Sequence, residues 1–144
     1  MMTNKELIAK AINVATNLPT VYVNGAFGCR FGKDYYNPNY SYNKKHAAEL
    51  EKYKNTDPIT FGFDCVCFVK GLLWGFAGDP NKVYGGAVYQ SNGVPDITES
   101  SMLNKCSDVS TDFSKIEPGE FLWMEGHCGL YIGDGLGVEA TPKW

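Results

Sequence analysis

The strongest constraint on the fold lies near the end of the chain. Residues 121–124, 128–132 and 136–140 are three short apolar runs separated by Glu125-Gly126 and by Gly133-Asp134-Gly135. Runs of this length bounded by glycine read as consecutive antiparallel strands. The sequence before them has a helical period instead. Thr3 can cap a helix whose apolar positions Leu7, Ile8, Ala11, Ile12 and Ala15 share one face, and Pro19 ends it. Asp64 is a second N-cap, placed before Cys65, Val69, Leu72, Leu73 and Phe76, which again recur at helical spacing and predict a buried helix. Helices first and strands after them predict an α+β fold, with N-terminal helices packed on an antiparallel sheet.

The intervening segments are less regular. Residues 24–45 are rich in Gly, Asn and Tyr, including Asn24-Gly25 and Asn37-Pro38-Asn39, and read as a long surface loop of the kind that often carries function. Short helices are expected over 47–54 and around 99–105. His46, in polar surroundings, reads as a solvated residue.

At 144 residues the chain fits one domain spanning 1–144, and no internal repeat divides it. With 44% hydrophobic and 20% charged residues, the composition is that of a water-soluble domain, and no apolar run is long enough to enter a membrane as a span. The net charge of −3 and the scattered lysines argue against nucleic acid as a partner. Met1-Met2-Thr3-Asn4-Lys5-Glu6 lacks the pattern of a secretory signal. The five cysteines are odd in number and irregularly spaced, which predicts free thiols rather than a disulfide framework.

Chemistry concentrates at Cys65. A thiol in the first turn of a helix is favoured as thiolate by the helix dipole and by free backbone N–H groups, which can also hold the oxyanion formed when that thiolate attacks a carbonyl. The same residue can equally be read as a small buried hydrophobe, so a partner must decide. His127, held at the start of an apolar strand, titrates near neutrality and suits the role of base. Glu139 is the natural orienting group for its ring. There is a geometric condition: with a two-residue Asp134-Gly135 turn and regular pairing, His127 and Glu139 point to opposite faces. An odd-length loop or a bulge is therefore required. Zinc is a rival use of Cys65, Cys67, His127 and Cys128. Against it, two residues two apart on a helix diverge by about 200°, and neighbours on a strand alternate. No metal or cofactor is expected.

These residues resemble a known family. Phe63-Asp64-Cys65-Val66-Cys67-Phe68-Val69 is similar to the Asp-Cys-Ser-Gly-Phe-Val block of the NlpC/p60 cell-wall cysteine peptidases. Gly126-His127-Cys128-Gly129-Leu130-Tyr131-Ile132-Gly133 resembles their Gly-His-Val-Gly-Ile-Tyr-Ile-Gly segment, and Glu117-Pro118-Gly119-Glu120-Phe121 their Pro-Gly-Asp-Leu turn. Val21-Tyr22-Val23-Asn24-Gly25 looks like Pro-Tyr-Val-Trp-Gly. The variant with Val-Cys after the nucleophile, together with Val138-Glu139-Ala140-Thr141-Pro142, most resembles catalytic domains of phage and prophage endolysins of Gram-positive bacteria.

The resemblance implies a papain-like fold and hydrolysis of peptidoglycan stem peptides, usually between γ-D-glutamate and a diamino acid. Cys65, His127 and Glu139 would be catalytic, with Tyr22 and Asp64 contacting substrate. It also implies a protein made in the bacterial cytoplasm and acting at the cell wall. An amidase or acyltransferase using the same dyad, or an inactive wall-binding module, are the alternatives. Val66 and Cys67 replace the family's small Ser-Gly pair, and Glu139 stands where the family often has His. The family's sheet continues beyond the strand bearing the third residue, so the last strands are expected to be missing after Trp144, leaving an open edge that favours self-association.

Overall fold

The computed structural model describes residues 1–142. Its first element, α1 (Asn4–Asn17), begins with a capping box: the Glu6 N–H donates to Thr3 Oγ1 at 3.2 Å, and the Thr3 N–H donates back to Glu6 Oε2 at 2.7 Å. Leu7, Ala11 and Val14 form its buried face. Three short strands follow in the first half: β1 (Thr20–Tyr22), β2 (Phe27–Arg30) and β3 (Phe61–Phe63). They form a mixed sheet of order β1-β3-β2, with β1 parallel and β2 antiparallel to the central β3.

The expected loop over 24–45 is therefore corrected. It contains β2 and a short helix, α2 (Ser41–Lys45), and it is ordered by a buried polar residue rather than by an apolar pattern. Asn43, only 1% exposed, accepts from the Asn24 N–H at 2.8 Å and donates to the Asn24 and Asn37 carbonyls at 2.9 and 2.8 Å. Val23, Ala26, Cys29 and Phe31 bury themselves beneath it as a satellite core. The next helix, α3 (Ala47–Leu50), passes into a 3₁₀ turn at Glu51–Tyr53, shorter than the helix expected over 47–54.

Strand β3 runs through Asp64 directly into α4 (Cys65–Leu73). Residues 65–72 of this helix are all buried, as its apolar periodicity predicts. The helix ends one turn earlier than the apolar pattern suggests, because Gly75 turns the chain with φ +94°, yet Phe76 is still delivered to the core. After a long irregular stretch come α5 (Glu99–Asn104), capped by Thr98, and the second sheet.

That sheet is β4 (Phe121–Met124), β5 (His127–Gly133) and β6 (Leu136–Val138), antiparallel in the order β4-β5-β6. Cys128 and Leu130 of β5 join the main core with α1, β3 and α4. Helix α4 touches both β2 and β5, so it lies between the two sheets. The architecture is α+β, as expected. The mixed sheet is an addition that the sequence pattern does not announce.

Candidate active site

The β5–β6 hairpin meets the geometric condition by a bulge. Asp134 and Gly135 form a two-residue turn with φ of +55° and +76°, the signs a type I′ turn requires. Gly133 pairs with Leu136 and Tyr131 pairs with Gly137, which leaves Ile132 without an opposite residue. Leu130 then faces Val138, and continuing that register sets Glu139 opposite Gly129, on the same face as His127. Gly129 keeps the strands close: a Cβ there would lie 2.9 Å from the Val138 carbonyl oxygen and 3.3 Å from the Glu139 Cβ. The result is a His127 Nε2 to Glu139 Oε2 contact of 2.5 Å, which leaves Nδ1 as the ring nitrogen for a further partner.

Cys65 lies close by: hydrogen bonds to the His127 ring and to the Cys128 thiol are both among the influences on its thiol. The Cys128 hydrogen bond is the largest influence lowering the Cys65 thiol below the ordinary range. Burial and the Asp64 carboxylate oppose it, while His127 and the Val66 N–H add to it. Burial alone would lower His127, but its bonds to Glu139 and Cys65 outweigh that and raise it. A lowered thiol beside a raised imidazole places the proton on His127 and the negative charge on Cys65.

The other two residues singled out in the sequence flank this pair. Tyr22 ends β1 opposite Phe63, two residues before Cys65, and its phenol oxygen accepts from the Cys65 backbone N–H. Burial first, then the nearby Asp64 and Cys65 charges, raise the phenol pKa, so Tyr22 stays a neutral donor. Asp64 is 6% exposed, and both of its oxygens are engaged by backbone: Oδ1 accepts from the Cys67 N–H and Oδ2 from the Gly25 N–H, each at 2.7 Å. It caps α4 and ties the 24–45 segment to the site.

Two grooves open near the site, lined by neighbours of Cys65 rather than by Cys65 itself. One of about 350 Å³ is lined by Leu122, Trp123, Met124, His127 and Glu139. The other, about 440 Å³, is lined by Gly25, Tyr40, Asp64, Lys70, Tyr89 and Asp96. The second contains a cluster that the sequence does not disclose. Lys70, 3% exposed on α4, pairs with Asp96, which also accepts from the Tyr89 hydroxyl at 2.8 Å. The one available signal was a lysine inside an otherwise apolar helix, which demands an anionic partner.

Among the described residues no group of three or more His, Cys, Asp and Glu side chains is arranged to hold a metal ion. No helix among them is long and apolar enough to cross a membrane. All five cysteines are unpaired thiols. Burial raises the Cys67 thiol far above the ordinary range, so it does not compete with Cys65. His46 stacks on Tyr42 at 4.4 Å and lies 3.2 Å from Glu49, apart from the Cys65 cluster. Comparison with family models, with curated proteins and with solved structures found no match.

Proposed function

We propose that this chain is a cysteine peptidase domain of the NlpC/p60 type that cleaves peptidoglycan stem peptides. One observation carries the catalytic part: Cys65 at the start of α4 contacts His127, whose far nitrogen is held by Glu139 at 2.5 Å. Nucleophile, base and orienting group stand in series, the arrangement that acyl transfer through a thioester needs. The choice of peptidoglycan rests on the blocks around Cys65 and His127 that resemble the family, and on the open grooves beside His127 and beside Asp64, which suit an extended peptide.

In the proposed reaction the Cys65 thiolate attacks the scissile carbonyl carbon. The oxygen takes up the negative charge beside the Tyr22 hydroxyl, a neutral donor whose own oxygen is held by the Cys65 N–H, so Tyr22 serves as a substrate contact. As the C–N bond breaks, His127 passes its proton to the departing amine. A water molecule, deprotonated by His127, then attacks the thioester and releases the acid with the Cys65 sulfur restored. The favoured bond joins γ-D-glutamate to a diamino acid.

The test compares this chain with Cys65→Ala on purified Gram-positive peptidoglycan, counting new amino groups and weighing the fragments. Release by the parent alone, with cuts after D-glutamate, is the expected outcome. Equal release by both proteins removes Cys65 as nucleophile. Fragments freed at the sugar linkage instead establish an amidase.

A further inference from the structure

The second sheet keeps one face in the core and turns the other outward. Cys128 and Leu130 are buried in the core, and Val138 packs against it. The pairs Met124–His127 and Leu122–Gly129 lie on the opposite face, and Gly137, opposite Tyr131, lies there with them. With Glu139 these residues border the groove of about 350 Å³, which Cys128 and Val138 line as well. Gly129 and Gly137 give it a floor without side chains, while Leu122 and Met124 supply apolar walls. Among the described residues no lysine or arginine lines this groove, and its charged groups are Glu139 and the His127 ring. Glu139 Oε2 is engaged by His127, whereas Oε1 has no hydrogen-bond partner among the described residues.

We propose that this groove receives the residue on the leaving side of the scissile bond and selects, among diamino acids, one whose side chain ends in an ammonium alone: lysine rather than meso-diaminopimelate. The inference rests on the proposed peptidase reading and specifies its substrate. A proton passes from His127 to the departing nitrogen only if that nitrogen lies against the ring, so the residue bearing it enters the groove that His127 lines. A lysine side chain suits that groove. Its apolar stem can lie over the two glycines beside Leu122 and Met124 while its ammonium reaches Glu139 Oε1.

Diaminopimelate has the same stem and differs by one carboxylate on the carbon that bears the distal ammonium. That carboxylate would face Glu139 with no lysine or arginine in the groove to receive it. Taking an anion out of water without a partner is costly. The His127 ring does not serve, because it is committed to Glu139 and to the departing amine. Discrimination therefore comes from an unpaired charge on the rejected residue as well as from a pair made by the accepted one.

The test uses the full chain and the dipeptides that the two cleavages would release, L-lysyl-D-alanine and meso-diaminopimelyl-D-alanine, with binding measured by calorimetry. The lysyl dipeptide should bind at least about tenfold more tightly, the effect of one charged hydrogen bond. The kcat/KM values for L-Ala-γ-D-Glu-L-Lys-D-Ala and its diaminopimelate counterpart should stand in the same order. Gly137→Val places a branched side chain on the groove floor and should weaken the lysyl dipeptide by about tenfold. The nearest atom to a Cβ at 137 is Leu122 Cδ1 at 3.1 Å, the movable end of a side chain, so the strand pairing should survive. Equal affinities for the two dipeptides, or no binding of either, overturn the inference, and that comparison needs no variant to fold. Unchanged lysyl binding in a folded Gly137→Val chain also overturns it. If the dipeptides are discriminated as expected and neither tetrapeptide is cut, the peptidase reading fails and the lysine-selecting groove stands.

Discussion

Glu139 shows how much can hang on one carboxylate. Its bond to His127 Nε2 fixes the ring and favours the imidazolium, and it does so from a side chain that is 54% exposed. In the proposed mechanism the active form has Cys65 deprotonated and His127 protonated. Activity should therefore rise as pH climbs through the lowered Cys65 value and fall as it climbs through the raised His127 value. Glu139→Gln keeps the shape but removes the charge, so the basic limb should move to lower pH, narrowing the window from above. The maximum rate should fall by roughly 10²-fold or more. A pH–rate profile of the variant checks both; an unmoved basic limb would mean that Glu139 does not set the His127 protonation. Asp64 illustrates the opposite economy. Its charge works against the Cys65 thiolate, yet its two oxygens fasten the helix start and the Gly25 backbone in place. Geometry at the nucleophile is here obtained at some electrostatic cost.

At the scale of elements, the β5–β6 hairpin decides whether Glu139 reaches His127. Ile132 has no opposite residue, so deleting it should convert the bulged hairpin into a regular one while leaving every pair upstream in register. The proposed peptidoglycan-cleaving activity should persist. Deleting Gly137 should instead bring Glu139 opposite Leu130 or Tyr131, away from His127, and reduce the rate as far as Glu139→Gln does. Matched activities in the two deletions would refute this account of the hairpin. The hairpin also marks the limit of what the sequence discloses. The three strands were legible from the apolar runs at 121–124, 128–132 and 136–140, the last of which is strand only as far as Val138, and the need for a bulge was legible from parity; its position was not, because Gly133, Gly135 and Gly137 permit several. The helices after Thr3 and Asp64 were legible from cap and period. The mixed sheet was hidden. Its strands have three or four residues, and Phe61-Gly62-Phe63 is buried throughout, so no alternation betrays it. In the site, Cys65 could be nominated from its place in the first turn of a capped helix, His127 because the chain has only two histidines, and Glu139 as a carboxylate at the end of the next apolar run. The Cys65–Cys128 contact and the Lys70–Asp96 pair depend on how α4 meets β5 and the loop before α5, which no local pattern encodes.

Across the whole molecule, α4 joins two halves that each supply part of the site. The mixed sheet brings Tyr22 and leads into Cys65, and the antiparallel sheet brings His127 and Glu139. Lys70 fastens the same helix to the segment before α5. Burial would raise the Asp96 carboxyl, but the Lys70 ammonium and the Tyr89 hydroxyl hold it below the ordinary range. A carboxyl lowered by folding stabilises the fold above its unfolded value and loses that contribution as the pH falls through its folded one. Asp96→Asn should therefore destabilise at neutral pH by about 1–3 kcal/mol, less than a fully buried pair would cost because Asp96 is partly exposed. The Tm difference between parent and variant should shrink as the pH falls below about 4. A difference that does not change with pH would show that the pair contributes through packing rather than charge. The same region has a spectroscopic consequence. Trp74 is sealed at 1% exposure with its indole N–H on the Val94 carbonyl at 2.8 Å, whereas Trp123, 39% exposed, lines the groove beside His127. With Trp144, outside the described residues, replaced by phenylalanine, the blue edge of the emission would report the integrity of the α4 anchor and the red edge the occupancy of the groove. One cuvette would then distinguish a chain that has come apart from one that has taken up a ligand.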